Sequence, residues 1–128
     1  VELYFNGVGE SNPDDYGDVV ASREWAHGEV FLTARWYTAA RLDFELSPIV
    51  AAGVGWIQNW DDGSALVQPA LSWWAGDYVS LRFGTSVGIG EAPETIVLPT
   101  VPPTEFTRPR SEFGAYPDTI FAEASFAF

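Results

Sequence analysis

Thr119-Ile-Phe-Ala-Glu-Ala-Ser-Phe-Ala-Phe128 is the stretch whose reading decides the fold. Every second residue back from the end is apolar: Phe128, Phe126, Ala124, Ala122 and Ile120. The residues between them, Ala127, Ser125, Glu123, Phe121 and Thr119, are small, polar or mixed. A period of two is that of a β-strand with one apolar face. The strand runs into a terminal aromatic, whereas the ends of soluble domains are commonly frayed and polar.

The same alternation recurs upstream. The unbroken run from Tyr78 to Gly90 sets Val79, Leu81, Phe83, Thr85, Val87 and Ile89 against Tyr78, Ser80, Arg82, Gly84, Ser86 and Gly88. Residues 64–74 place Ala65, Val67, Leu71 and Trp73 opposite Ser64, Gln68 and Ser72. Residues 41–58 continue with Leu42, Phe44, Leu46, Val50, Ala52, Val54 and Trp56 on one side, and Arg41, Asp43, Glu45, Ser47, Gly53 and Gly55 on the other. Residues 29–37 set Val30, Leu32, Ala34 and Trp36 against Glu29, Thr33 and Arg35, and residues 1–9 set Val1, Leu3 and Phe5 against Glu2, Tyr4 and Asn6. Six strands are therefore expected, near 1–9, 29–37, 41–58, 64–74, 78–90 and 117–128, all within one unit spanning residues 1–128. Short turns are expected at 38–41 and 75–77, and a tight hairpin at Asp61-Asp62-Gly63. Two long loops are expected at 10–28 and 91–116, the second rich in proline and so unable to form a central strand. No segment shows a sustained helical period; the best helical stretch, Val19–His27, falls inside the first loop. The chain reads as all-β.

Composition narrows the function classes. The chain has 128 residues, no Cys and no Met, and begins at Val1, so the sequence reads as a mature protein without its leader or as part of something longer. Its net charge of −12 argues against nucleic acid as a partner. No apolar run approaches the roughly 20 residues that a membrane helix needs, so a membrane-spanning reading has to be a β-barrel. The polar sides of the strands favour that reading. A water-facing sheet surface usually carries Lys, Glu and Thr, whereas these positions are Gly, Ser, Ala and Gln with a few charges. The glycines suit a crowded, curved interior better than a solvated face.

The terminal motif resembles the last strand of Gram-negative outer-membrane β-barrels, and residues 61–84 look like the loop–strand–turn–strand section that closes large porin-like proteins. The resemblance implies an antiparallel up-and-down transmembrane β-barrel in the bacterial outer membrane. Phe126 and Phe128 would then be the signal for the barrel-insertion machinery. Arg35, Arg41, Asp43, Glu45, Arg82 and Glu123 would line the lumen, and Trp36, Trp56, Trp73 and Trp74 would form an interfacial girdle. Loop lengths agree with this, since short turns and long loops alternate as periplasmic and extracellular connections do. A barrel in lipid needs at least eight strands, because an open edge leaves backbone groups unpaired at several kcal/mol each. Six strands are thus expected to be part of a larger barrel whose other strands come from another chain or from further sequence.

The partners expected are membrane lipid, those additional strands and the insertion machinery. A passive channel for small solutes is the leading expectation. A plugged structural barrel that anchors or sheathes a partner complex is a second, and a soluble acidic carbohydrate-binding sandwich a third. Phe31, Tyr37 and Phe121 would obstruct a lumen that the glycines and serines would leave open. No catalytic residue, metal site or cofactor is expected. His27 stands without a His-x-Ser partner or a G-x-S-x-G context, and Asp14, Asp15 and Asp18 lack the spacing of a calcium loop. Gly84, Gly88 and Gly90 belong to a strand rather than a phosphate loop, since no helix follows them.

Overall fold

A computed structural model describes residues 1–99 and 104–126. Its centre is a six-stranded antiparallel sheet in strictly sequential order. The strands are β1 (Glu2–Phe5), β2 (Trp36–Ser47), β3 (Val50–Asn59), β4 (Ala65–Gly76), β5 (Val79–Ile89) and β8 (Thr119–Phe126). A separate hairpin, β6 (Glu94–Leu98) with β7 (Thr104–Arg108), lies between β5 and β8 in sequence. The sheet is open: β1 and β8 are its two edges and do not pair with each other among the described residues.

Because consecutive strands are antiparallel, the turns at 48–49 and 77–78 lie at one end, together with Phe126. The connections 6–35, 60–64 and 90–118 share the opposite end, which we call the loop end. The expected alternation of short and long connections is present.

Three local expectations differ from the structure. Residues 29–35 do not form a strand, and the strand that follows begins at Trp36 and runs unbroken to Ser47. The backbone of 32–36 finds its partners elsewhere. Leu32 O accepts from Asn6 Nδ2, Glu10 N donates to Thr33 O and Asn6 N donates to Arg35 O. The amides of Thr33, Arg35 and Trp36 donate to the carboxylates of Glu112 and Asp61. The turn expected at 38–41 lies instead at Pro48-Ile49, where proline cannot continue the ladder. Strand 1–9 shrinks to Glu2–Phe5, since Asn6 turns its side chain back to hold the amide of Val8.

The two long connections carry structure that periodicity does not show. The first holds the short helices α1 (Tyr16–Val20) and α2 (Arg23–Ala26), the latter capped by Ser22 Oγ on the Trp25 amide at 3.2 Å. The second holds the β6–β7 hairpin, whose described prolines, Pro93, Pro99 and Pro109, stand just outside its strands. Pro102 and Pro103 lie outside the described residues.

One face of the sheet carries the apolar set and is bare. Leu3 is 70% exposed, Leu42 58%, Phe83 48% and Ile120 91%, and Phe5, Phe44, Leu46, Leu71, Trp73 and Phe126 join them. Water-soluble monomers rarely expose so continuous an apolar surface. The buried core sits at the loop end, where Tyr16, Ala34, Tyr37, Leu66 and Phe113 meet. Residues 111–116 reach this core by crossing Gly88, where an added Cβ would collide with the Phe113 carbonyl. Gly88→Ala is therefore expected to lift that segment from the sheet at about 1–3 kcal/mol, the usual cost of overpacking. A thermal denaturation midpoint equal to that of the unaltered chain would show that the segment is not seated there.

Candidate functional site

The second face of the sheet brings most of the expected lumen residues together. Cross-strand register aligns Glu45, Ala51, Ser72, Arg82 and Glu123 in one row spanning five strands. The adjacent row is Asp43, Gly53, Ala70, Gly84 and Phe121. Arg41 forks onto Asp43, its Nε 2.8 Å from Oδ2 and its Nη2 2.9 Å from Oδ1, a bidentate and directional pair. The Arg82 guanidinium stacks over Phe121 at 5.5 Å from the ring centroid.

Small residues on this face make room for large neighbours. A Cβ on Gly53 would stand 2.6 Å from Asp43 Oδ1, and one on Gly84 would collide with the Phe121 ring. Arg41, Asp43, Gly53, Arg82 and Phe121 border a groove of about 260 Å³. Arg35 does not join them. It shares their alternation, but the chain has left the ladder there, and its side chain ties the loops by donating to Gly9 O at 2.8 Å and pairing with Glu10 at 3.4 Å.

The tryptophans divide between the faces. Trp36, Trp56 and Trp73 stand on the apolar face, the first two toward the loop end and Trp73 toward the turn end. Trp74 pairs with Ser80 and points to the polar face. Two aromatics outside the expected set add to the loop-end group. Phe5 packs on Trp36 at 4.7 Å between centroids, and Trp60 Nε1 donates to Thr38 Oγ1 at 2.8 Å. Phe126 closes β8, exposed and paired with Val79, and Phe128 lies outside the described residues.

A buried polar network at the loop end was not legible in the sequence. Glu112, only 6% exposed, reaches in from the second long connection. Its Oε1 accepts from the Thr33 amide at 2.9 Å, and its Oε2 accepts from Tyr37 Oη and from Asn59 Nδ2 at 3.1 Å. Asp62 accepts from the Glu112 amide at 2.7 Å, from the Ser64 amide at 2.8 Å and from Tyr16 Oη at 3.1 Å. Burial pushes the Glu112 carboxyl above its ordinary range; the Tyr37 and Thr33 donors pull it back, and nearby Asp62 adds to the rise. Burial likewise raises the Tyr16 phenol, and that of Tyr116. The network joins both long connections to the β3–β4 turn.

His27 sits half-exposed at the end of α2 beside Glu29. Among the described residues no cluster of acidic or histidine side chains has a metal-binding geometry, and no helix is long and apolar enough to cross a membrane. No protein-family description, no curated protein and no solved structure matches the chain.

Proposed function

We propose that this chain is a six-stranded segment of an outer-membrane β-barrel, with lipid against its apolar face and a porin-like lumen for passive diffusion of small solutes along its polar face. The observation that carries the reading is the bare apolar face, continuous from Leu3 on β1 to Ile120 on β8, opposed to a face of small and charged residues. In water such a surface drives association; against hydrocarbon it is the required one. The strand lengths of β2 to β5, ten to twelve residues, suit a tilted crossing. The connections support the same orientation, with the structured loops all at one end.

In this reading Arg41, Asp43, Glu45, Arg82 and Glu123 set the field in the lumen, and the free edges of β1 and β8 pair with strands of further sequence or of another chain. The girdle is Trp36, Trp56 and Trp73 with Phe5 and Trp60, and the insertion machinery reads the terminal aromatics.

Site-directed spin labels test the assignment. A label at Phe83 is expected to be quenched by a lipid-soluble relaxer, and one at Arg82 by a water-soluble one. Equal lipid exposure at the two neighbouring positions would overturn the membrane reading.

A further inference from the structure

A second concavity, separate from the groove on the polar face, opens at the loop end between α1, α2 and residues 109–116, with a volume of about 370 Å³. Its walls are the side chains of Tyr16, Val20, Trp25, Pro109 and Tyr116, and its floor includes Thr33 and Glu112. The walls are apolar and largely aromatic, yet the floor carries a carboxyl group that is almost fully buried.

That carboxyl has no cation beside it. The chain contains six arginines and no lysine. Arg35 is engaged with Glu10, Arg41 with Asp43, Arg108 with Asp14, and Arg110 with Glu91 and Glu94. Arg82 stacks on Phe121, and Arg23 is exposed and outside the pocket walls. Among the described residues no ion pair reaches Glu112 or the neighbouring Asp62; every group that meets their oxygens is a neutral donor. Buried charge is ordinarily paired, because an unpaired one forfeits its hydration without a Coulombic return. The buried Thr33 hydroxyl makes no hydrogen bond to any described group.

Aromatic rings around a buried carboxyl group that no cation pairs select one ligand class. A cation with an apolar body keeps its carbon surface against the rings, gains cation–π attraction from them, and supplies the missing positive charge. A neutral apolar ligand would leave the carboxylate unanswered, and an anion would be repelled by it. We propose that this pocket is a binding site for a compact organic cation, a quaternary or protonated amine with an apolar body. The site is built from loop residues alone, so it stands whether lipid or another protein covers the apolar sheet face.

Calorimetric titration of the full chain at about pH 8, well alkaline of an ordinary carboxyl group, tests it. The probe is benzyltrimethylammonium, with benzyl alcohol as its uncharged match and benzoate as its anionic one. Saturable binding of the cation is expected, with the alcohol weaker by tenfold or more and benzoate silent. Trp25→Leu and Tyr116→Leu are each expected to weaken the cation by about three- to tenfold, the range of one cation–π contact. Neither side chain belongs to the hydrogen-bonded network, and each variant is read only on protein whose far-ultraviolet circular dichroism is unchanged. Glu112→Gln is expected to reduce the preference for the cation over the alcohol, read only on protein whose near-ultraviolet circular dichroism is unchanged. Equal affinity for cation and alcohol, absence of saturable binding, or full affinity in both aromatic variants would overturn the proposal.

Discussion

Phe83→Arg is expected to destabilise the chain in a bilayer by about 2–4 kcal/mol, the cost of an arginine on the lipid face of a barrel near the midplane. Phe83 is suited to this test because β5 runs from Val79 to Ile89 and Phe83 stands near its centre. It pairs with Leu71 on one side and Ala122 on the other, so the substituted side chain has only apolar neighbours across the strands. In the proposed membrane orientation that position is far from either interface, and snorkelling cannot bring the guanidinium easily to water. The medium decides the sign as well as the size. Were the face wetted, replacing a half-exposed Phe by Arg would stay within about 0.5 kcal/mol of neutral. Ser86→Arg on the polar face is the matched control, with an expected change near zero. Urea titration of the folded chain in vesicles reads both. Equal free-energy changes for Phe83→Arg and Ser86→Arg would remove the lipid-facing assignment.

The sheet was legible because alternation is a one-dimensional signal. Val79 to Ile89 announces its faces without reference to anything else, and the same holds for Leu42, Phe44 and Leu46. Boundaries were less legible where alternation continued past the strand. Val30, Leu32 and Ala34 keep a period of two, yet the backbone of Leu32 and Thr33 is held by Asn6, Glu10 and Glu112, partners from distant parts of the chain. Conversely, the alternation from Trp36 to Leu46 has no break at 38–41, so a turn there had only Thr and Ala to recommend it. Parity also misplaced Arg35, which obeys the pattern but lies beyond the end of the ladder.

The loop-end network was hidden for a different reason. Glu112 stands in a proline-rich segment among other acids, and an acidic loop residue is normally solvated. Its burial follows from a fold that brings residues 33, 37, 59 and 112 together, and no local pattern encodes that meeting. Asn59-Trp60-Asp61-Asp62-Gly63 was readable as a turn, with Gly63 at φ 74°. That its carboxylates also hold the amides of Arg35, Trp36 and Glu112 was not.

Glu112→Ala should have the second large effect, about 3 kcal/mol or more at the loop end, because it leaves several buried neutral donors unsatisfied at once. The substitution leaves the Thr33 amide, the Tyr37 hydroxyl and one Asn59 amide proton without their acceptor in a site from which water is excluded. Each such group costs about 1–3 kcal/mol when unsatisfied. The sheet is held by its own ladders, so the loss should be local, with the Thr33 amide exchanging with solvent faster while amides in the middle of β4 keep their protection. Glu112→Gln should fall between, because one amide oxygen replaces two acceptors and its NH₂ faces either the Thr33 amide or the Tyr37 and Asn59 donors.

The pH dependence follows from the direction of the carboxyl shift. Burial raises the Glu112 carboxyl in the folded chain above its ordinary value of 4.5, so the folded state holds that proton more tightly than the unfolded state does. Its contribution to loop-end stability is therefore greatest below 4.5, declines as pH climbs through the raised value, and is level beyond it. Asp62, Tyr16, Tyr37 and Tyr116 face the same carboxyl. Glu112→Gln should thus flatten the decline. If Thr33 exchange in the unaltered chain is the same below and above that window, or if Glu112→Ala leaves the amide protected, the carboxylate does not hold the loops.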